Sequence, residues 1–281
     1  MDWIERLNAS IGYIEEHLTE DVDFDAVAKV ALCSSYHFQR MFSYMAEMTI
    51  SEYIRKRRMS RAAVDLLNGE KVIDVALKYG YDSPTAFNRA FRSVHNVPPS
   101  MLKKGTSVKS FTPIRFSISI KGAEEMDFKL VKKDAFRVVG VTENIYRDME
   151  KNFAIVPAMW EKATKEGLTG KLCALMNSQP QAILGMSLCG GEQWKYAIAV
   201  ASTAPADDSL EEFSVPAATW AVFCGEGTNI SIQQLEKRVL TEWFPTSGYE
   251  YGEAPEIEVY YSADPDNAKF ELWIPVVPKK Q

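Results

Sequence analysis

Apolar residues in the first hundred positions recur at helical spacing, and they do so twice. Phe38, Met41, Phe42 and Met45 fall at i, i+3, i+4 and i+7, as do Phe87, Ala90, Phe91 and Val94, so each set forms the inward stripe of an amphipathic helix. Residues 28–53 echo residues 76–102, with Phe38, Arg40, Phe42 and Ser51 answered by Phe87, Arg89, Phe91 and Ser100. Self-similarity of this kind predicts two copies of one unit. Each copy predicts a short helix (24–30, then 72–79), a tight turn, and a second helix opened by a capping serine. Short helix, turn, second helix is the helix-turn-helix arrangement. Gly80 supplies left-handed backbone in the second turn, where the first copy has Leu32 or Cys33. Between the copies, residues 49–67 contain no breaker and predict one helix about 25 to 30 Å long at ~1.5 Å per residue.

Helical periodicity stops after Lys104, and the polar stretch 105–110 places a domain boundary near residue 108, giving domains 1–108 and 109–281. Strand-like runs follow at 115–120, 128–132, 136–141, 183–188, 196–201, 220–224, 257–261 and 270–276. Two long helices, 152–165 and 230–243, interrupt them, and the pairs Glu143/Glu226 and Trp160/Trp243 are each 83 residues apart. The expected fold is therefore multi-domain. An all-α N-terminal domain with two helix-turn-helix units precedes an α+β C-terminal domain of duplicated strand-helix-strand-strand units.

Composition narrows the class. A chain of 281 residues with 46% hydrophobic and 25% charged residues is ordinary globular protein in two domains. No run approaches the roughly 18 apolar residues of a membrane span, and the start Met1-Asp2-Trp3-Ile4-Glu5 lacks a signal-peptide pattern, so a cytoplasmic location without membrane contact is expected. Cys33, Cys173, Cys189 and Cys224 are widely spaced and His17, His37 and His95 all lie in the first third, so neither a metal site nor a cofactor is expected. The net charge of -6 conceals a block: residues 26–110 hold fourteen Lys or Arg against six acids, +8, between two segments of -7 each.

That basic block carries the candidate DNA contacts. Opposite the apolar stripes stand Ser35, Tyr36, Gln39, Arg40 and Ser43 in the first copy, and Thr85, Asn88, Arg89, Arg92 and Ser93 in the second. Arg forks onto guanine, Asn and Gln pair with adenine, and Ser and Thr reach phosphates or base edges. The cluster Arg55, Lys56, Arg57, Arg58 and Arg61 is expected near a phosphate path, with Arg55, Arg57 and Arg58 as contacts and some of the cluster as solvated charges or intramolecular pairs. A spacer helix of this length sets two reading helices about one DNA turn, roughly 34 Å, apart, so one chain suffices and either a monomer or a homodimer fits.

Ile73-Asp74-Val75-Ala76, Gly80-Tyr81, Phe87-Asn88-Arg89-Ala90-Phe91 and Pro98-Pro99-Ser100 resemble the DNA-binding domain of the AraC/XylS family of bacterial transcription regulators over residues 5–105. The resemblance implies seven helices, double-stranded promoter DNA and RNA polymerase as partners, and groove-facing roles for Tyr36, Gln39 and Arg40 and for Thr85, Asn88, Arg89 and Arg92.

In the second half, Gly185-Met186-Ser187-Leu188-Cys189 lacks the last glycine of a nucleophile elbow, and no histidine follows His95. A serine triad is excluded there, and binding rather than catalysis is expected. In Phe270-Glu271-Leu272-Trp273-Ile274-Pro275, strand alternation places Glu271 and Trp273 on one face. A buried acid there invites a positive charge, which a lipophilic cation supplies while aromatic faces add cation-π attraction; an edge-exposed Glu is the alternative. Residues 125–281 resemble the GyrI-like effector-binding domains of multidrug-sensing regulators, whose last strand is similar to Glu271-Leu272-Trp273-Ile274-Pro275. The resemblance implies that Glu271 lines an effector pocket. Trp160, Trp220, Tyr146, Tyr260, Trp273 and Met186 are wall candidates. The expected function is a transcription regulator, not an enzyme, controlled by a small hydrophobic effector, cationic where an acid meets it. The alternatives are a small-molecule hydrolase with Glu271 as general base and a protein-interaction module.

Overall fold

A computed structural model describes residues 3–103, 105–117, 125–189, 191, 193–262 and 268–279. The chain divides into two compact units, Met1–Ile120 and Lys121–Gln281.

Six α-helices build the described part of the first unit: α1 (Trp3–Glu16), α2 (Phe24–Val30), α3 (Ser35–Ala46), α4 (Ile50–Leu67), α5 (Val72–Lys78) and α6 (Pro84–His95). A 3-10 turn at Pro99–Met101 stands where a seventh helix is implied. Local chemistry sets these boundaries. Ser34, Thr49 and Ser83 accept hydrogen bonds from His37, Glu52 and Ala86 backbone N–H groups and open α3, α4 and α6. In the turns, Gly80 has φ 79° and Leu32 takes the equivalent left-handed place at φ 56°. The apolar stripes predicted for α3 and α6 face inward, with Phe38, Phe42, Phe87 and Phe91 at most 1% exposed.

The second unit is a curved antiparallel sheet with two helical elements on one face. Its strands are β1 (Phe128–Lys133), β2 (Phe136–Ile145), β3 (Ile183–Leu188), β4 (Trp194–Ala201), β5 (Glu211–Val215), β6 (Ala218–Gly227), β7 (Tyr249–Tyr251), β8 (Glu256–Tyr260) and β9 (Ala268–Pro278), in the order β1-β6-β9-β8-β3-β4-β2-β5, with β7 on the end of β9. Helix α7 (Met149–Lys165) follows β2, α8 (Leu168–Leu175) follows α7, and α9 (Asn229–Arg238) follows β6 and continues as a π turn through Val239–Trp243. The two halves, β2-α7-β3-β4 and β6-α9-β8-β9, are the duplicated units that the 83-residue spacing predicts.

The sheet's two faces differ. Register pairs Met186 with Ile257, Ile257 with Trp273 and Trp273 with Val222, so these side chains share one apolar face with Trp220, Val259 and Leu184. Gly185, Glu258 and Leu272 pair across the opposite face, where Phe223, Trp243, Phe244 and Ile274 pack the second helical element onto the sheet.

One expectation is corrected. Residues 115–117 form no strand and the rest of the expected run, 118–120, lies outside the described residues. The first compact unit runs to Ile120, since Phe111 joins the core around α6, and Ile114 and Phe116 join the core around α1 and α3. β5, β7 and α8 span too few residues for a period to show.

Candidate nucleic-acid interface and effector site

Helix α6 presents a polar surface from the second helix-turn-helix. Thr85, Asn88, Arg89, Arg92, Ser93 and Asn96 line a shallow depression of about 570 Å³. Arg89 and Arg92 are exposed and Asn88 is half-buried, while Phe87 and Phe91 anchor the opposite side of the helix. Two guanidiniums and an amide on one exposed face match the donor and acceptor pattern of a major groove.

Helix α3 differs. Ser35, Tyr36 and Gln39 are buried and Arg40 is half-buried. Gln39 Nε2 donates to Ser35 Oγ at 3.3 Å, and Arg40 Nη1 donates to Tyr36 Oη at 2.8 Å with its guanidinium 5.2 Å from the ring centroid. Periodicity places these side chains opposite Phe38 and Phe42; it does not fix how much of them solvent reaches.

Two arginines of the basic stretch of α4 make intramolecular pairs. Arg57 is 8% exposed. Its Nε and Nη2 donate to the two oxygens of Glu15, each at 2.7 Å, and its Nη1 donates to the Phe111 carbonyl. Arg58 Nε donates to the Leu18 carbonyl at 2.8 Å and its Nη2 to the Glu20 carbonyl. Both guanidiniums tie α4 to α1 and to the segment after it. Burial raises the Glu15 pKa, but hydrogen bonds from Arg57 and Tyr53 and the nearby charges outweigh it and hold the carboxyl below its usual range. Lys56 pairs with Glu52 at 2.7 Å, and Arg55 is half-buried.

In the second unit the expected effector residues separate onto the two faces of the sheet. Glu271 projects into the face that holds Trp220, Trp273 and Met186. It is 8% exposed and already has a cation: Lys129 Nζ lies 2.8 Å from Oε1. Oε2 accepts from Trp273 Nε1 at 2.8 Å and Tyr261 Oη at 3.0 Å. Burial pushes its pKa up, and these three donors more than reverse the effect, keeping it ionised and weakly basic. Burial and the same carboxylate push the Tyr261 hydroxyl up to about 12. Lys133 Nζ sits 4.7 Å from the Trp273 ring centroid, and Trp220 packs 5.9 Å from Trp273.

Trp160 and Tyr260 lie on the opposite face, around a different acid. Glu258 Oε2 accepts from Tyr196 Oη at 3.0 Å and Tyr260 Oη at 2.9 Å. Trp160, from α7, donates its Nε1–H to Tyr196 Oη at 3.0 Å and packs edge-on against Tyr260 with centroids 5.2 Å apart. Gly185 makes room for this cluster, since a Cβ there would overlap Tyr196 Oη and press on Glu258 and Trp160. A half-buried carboxylate ringed by two phenols and an indole supplies charge and π faces at one point. Tyr146 belongs to neither centre; half-exposed beneath Lys151 Nζ (4.6 Å), it lines an open cavity of about 710 Å³ between α7 and β2.

Glu258 has a signal in the sequence. Glu256-Ile257-Glu258-Val259-Tyr260 alternates acid and apolar with a terminal aromatic, the same acid-x-aromatic pattern as Glu271 and Trp273 one strand later. Among the described residues, no group of three or more His, Cys, Asp or Glu is placed to hold a metal, and no helix is long and apolar enough to cross a membrane.

The comparisons with known proteins agree with this division. Residues 126–277 match the model of the GyrI-like small molecule binding domain, and residues 27–105 match that of a helix-turn-helix domain. The HTH-type transcriptional regulator YbfP of Bacillus subtilis (strain 168) is 36% identical over 104 residues, covering 37% of this chain and 35% of that protein. The right origin-binding protein of Escherichia coli (strain K12) is 31% identical over 140 residues, 50% of this chain and 48% of that protein. Regulatory protein SoxS of Salmonella typhimurium is 40% identical over 91 residues, 32% of this chain and 85% of that protein. The chain thus spans half or less of the first two relatives and most of the third. By these matches the chain belongs to the family of GyrI-like small molecule binding domains through its strand-rich unit and carries an AraC-type helix-turn-helix domain ahead of it.

Proposed function

We propose that the chain is a transcription regulator that reads promoter DNA with α3 and α6 and is controlled by a small, lipophilic, cationic effector bound over Glu258. The observation that carries the effector assignment is the Glu258 cluster, where one carboxylate oxygen is shared by Tyr196 and Tyr260 beneath the Trp160 indole. Anionic charge in an aromatic setting favours a cation whose bulk is apolar, because cation-π attraction strengthens to about 2 kcal/mol when the pair is desolvated. Glu271, with Lys129 Nζ 2.8 Å from its Oε1, is the second candidate. In the first unit, Asn88, Arg89 and Arg92 are the base-reading candidates and Thr85 a backbone contact. Half-buried Arg40, positioned by buried Tyr36, is the corresponding candidate on α3, and Arg55 the remaining phosphate candidate on α4. RNA polymerase is the further partner of this reading.

The test uses calorimetric titration of the whole chain with tetraphenylphosphonium and with triphenylphosphine oxide, a neutral aromatic of related shape. Wild type is expected to favour the cation, and Glu258→Gln to lose about tenfold or more of cation affinity while its affinity for the neutral compound stays constant. Equal losses for both compounds would remove the charge role, and a loss seen only in Glu271→Gln would move the site to the other face.

A further inference from the structure

The helical unit has two cores rather than one, and each contains one helix-turn-helix. Leu7, Ile11, Phe38, Phe42, Ile50 and Ile54 form the first, from α1 to the start of α4. Met59, Ala62, Val75, Phe87 and Phe91 form the second, from the rest of α4 through α6. Helix α4 runs through both. A single 18-residue helix of about 27 Å fixes distance well but resists bending and twisting less well.

The chain after α6 makes a second tie. Val108 and Phe111 insert into the second core, and Ile114 and Phe116 into the first, where Phe116 meets Phe42 edge-on at 6.1 Å. Between these anchors the extended backbone has no strand neighbour; side chains of three helices take that place. Lys109 N–H donates to His95 Nδ1 at 3.2 Å, Phe111 N–H to Ser60 Oγ at 2.9 Å, and Ile114 N–H to Tyr53 Oη at 3.3 Å. Asn8 pairs with both backbone groups of Phe116, accepting from its N–H at 2.8 Å and donating to its carbonyl at 2.9 Å. Arg57 donates to the Phe111 carbonyl. Backbone polar groups need such partners when they are taken out of water, so residues 109–116 are held at defined points on α1, α4 and α6.

From this we infer that residues 109–116 are a positioning element for DNA reading: a strap across both cores that fixes the spacing and rotational phase of α3 relative to α6. The inference rests on the proposal that both helices read one duplex. Phase matters because the half-sites must lie on one side of the helix, with a turn every ~10.5 base pairs. One inserted base pair therefore rotates the second half-site by about 34° and shifts it by roughly 3.4 Å. A strapped pair of readers tolerates this badly. An unstrapped pair, free to twist about α4, tolerates it better.

The experiment uses the full chain with Asn8→Ala/Ser60→Ala, which removes a hook at each end of the strap and touches neither α3 nor α6. Duplexes are first selected from a randomised library by the wild-type chain. Affinities are then measured for the selected duplex, for versions with one base pair added or removed between the two half-sites, and for duplexes carrying a single half-site. Wild type is expected to lose about tenfold per base pair of altered spacing, in the range of a specific-site mismatch. The double variant is expected to lose under about threefold, with unchanged affinity for single half-sites. Asn8→Asp keeps the acceptor for Phe116 N–H and is expected to retain most of the wild-type spacing dependence; should the double variant fail to fold, Asn8→Ala and Ser60→Ala singly, each lacking one hook, are expected to fall between wild type and threefold, and wild-type dependence in both overturns the inference. Wild-type spacing dependence in the double variant, or an equal loss on single half-sites, overturns the inference. If selection enriches no duplex, the DNA reading itself fails, and the strap's positioning role falls with it by a separate and recognisable result.

Discussion

Replacing Arg57 separates a structural arginine from a DNA contact. In Arg57→Ala the Glu15 carboxylate, with 13% of its side-chain surface exposed, loses a partner that meets it through two 2.7 Å hydrogen bonds. Removing one member of a buried pair costs about 3 to 5 kcal/mol, mainly because the other charge stays desolvated. Tyr53 and Arg61 still reach Glu15, at 2.7 and 3.2 Å, so the low end, about 3 kcal/mol, is expected. For a cooperative unit of this size, with an unfolding entropy of about 0.25 kcal/mol/K, that lowers the midpoint by roughly 12 °C. Scanning calorimetry of the whole chain resolves this if only the helical unit's transition moves. Arg57→Met/Glu15→Leu should recover much of the loss, because an apolar pair carries no desolvation penalty. An unmoved midpoint, together with a salt dependence of DNA binding reduced by about one unit of slope, would refute the reasoning and return Arg57 to the phosphate backbone.

Other predictions follow from single contacts. Gly185→Ala forces a Cβ against Tyr196 Oη; it should cost about 1 to 3 kcal/mol of stability in the strand-rich unit and weaken cation binding, read by calorimetry and titration together. Leu32→Gly relieves a left-handed leucine at φ 56° that is 58% exposed, and should stabilise the helical unit by about 0.5 to 1 kcal/mol in urea unfolding, whereas Gly80→Ala should destabilise it. His95 pairs through Nε2 with the Met59 carbonyl at 2.9 Å and accepts from Lys109 N–H on Nδ1, an arrangement that needs the neutral ring. Burial lowers its pKa from the ordinary 6.5, so near that pH the unfolded chain binds more protons than the folded one. Stability should be full above pH 7 and fall on acidification through the window below 6.5. His95→Gln should flatten that slope in thermal melts between pH 7.5 and 5.5.

What the sequence made legible was what repeats. The apolar stripes of α3 and α6, the capping serines and the 83-residue echo each state a local rule twice, and all appear in the structure. Pairings between distant residues were not legible. Nothing in the run of α4 distinguishes Arg57, folded inward onto Glu15, from an arginine directed outward; the distinction depends on α1 passing beside it. Strand alternation correctly set Glu271 beside Trp273, but it could not show that Lys129, 142 positions earlier, would reach the carboxylate. Nor could it show that Trp160 and Tyr260 would gather round Glu258 on the other face. The strap carries no signal of its own in the sequence because its backbone partners are side chains of α1, α4 and α6, a pattern with no period.

The most direct test of the account is linkage between the two proposed ligands. The dissociation constant of the full chain for its selected duplex is measured without and with saturating tetraphenylphosphonium, and that for the cation without and with saturating duplex. The account predicts a change of about 5- to 150-fold in DNA affinity and the same factor for the cation, since coupling between binding sites is reciprocal. Tight binding of the cation with an unchanged DNA dissociation constant would contradict it.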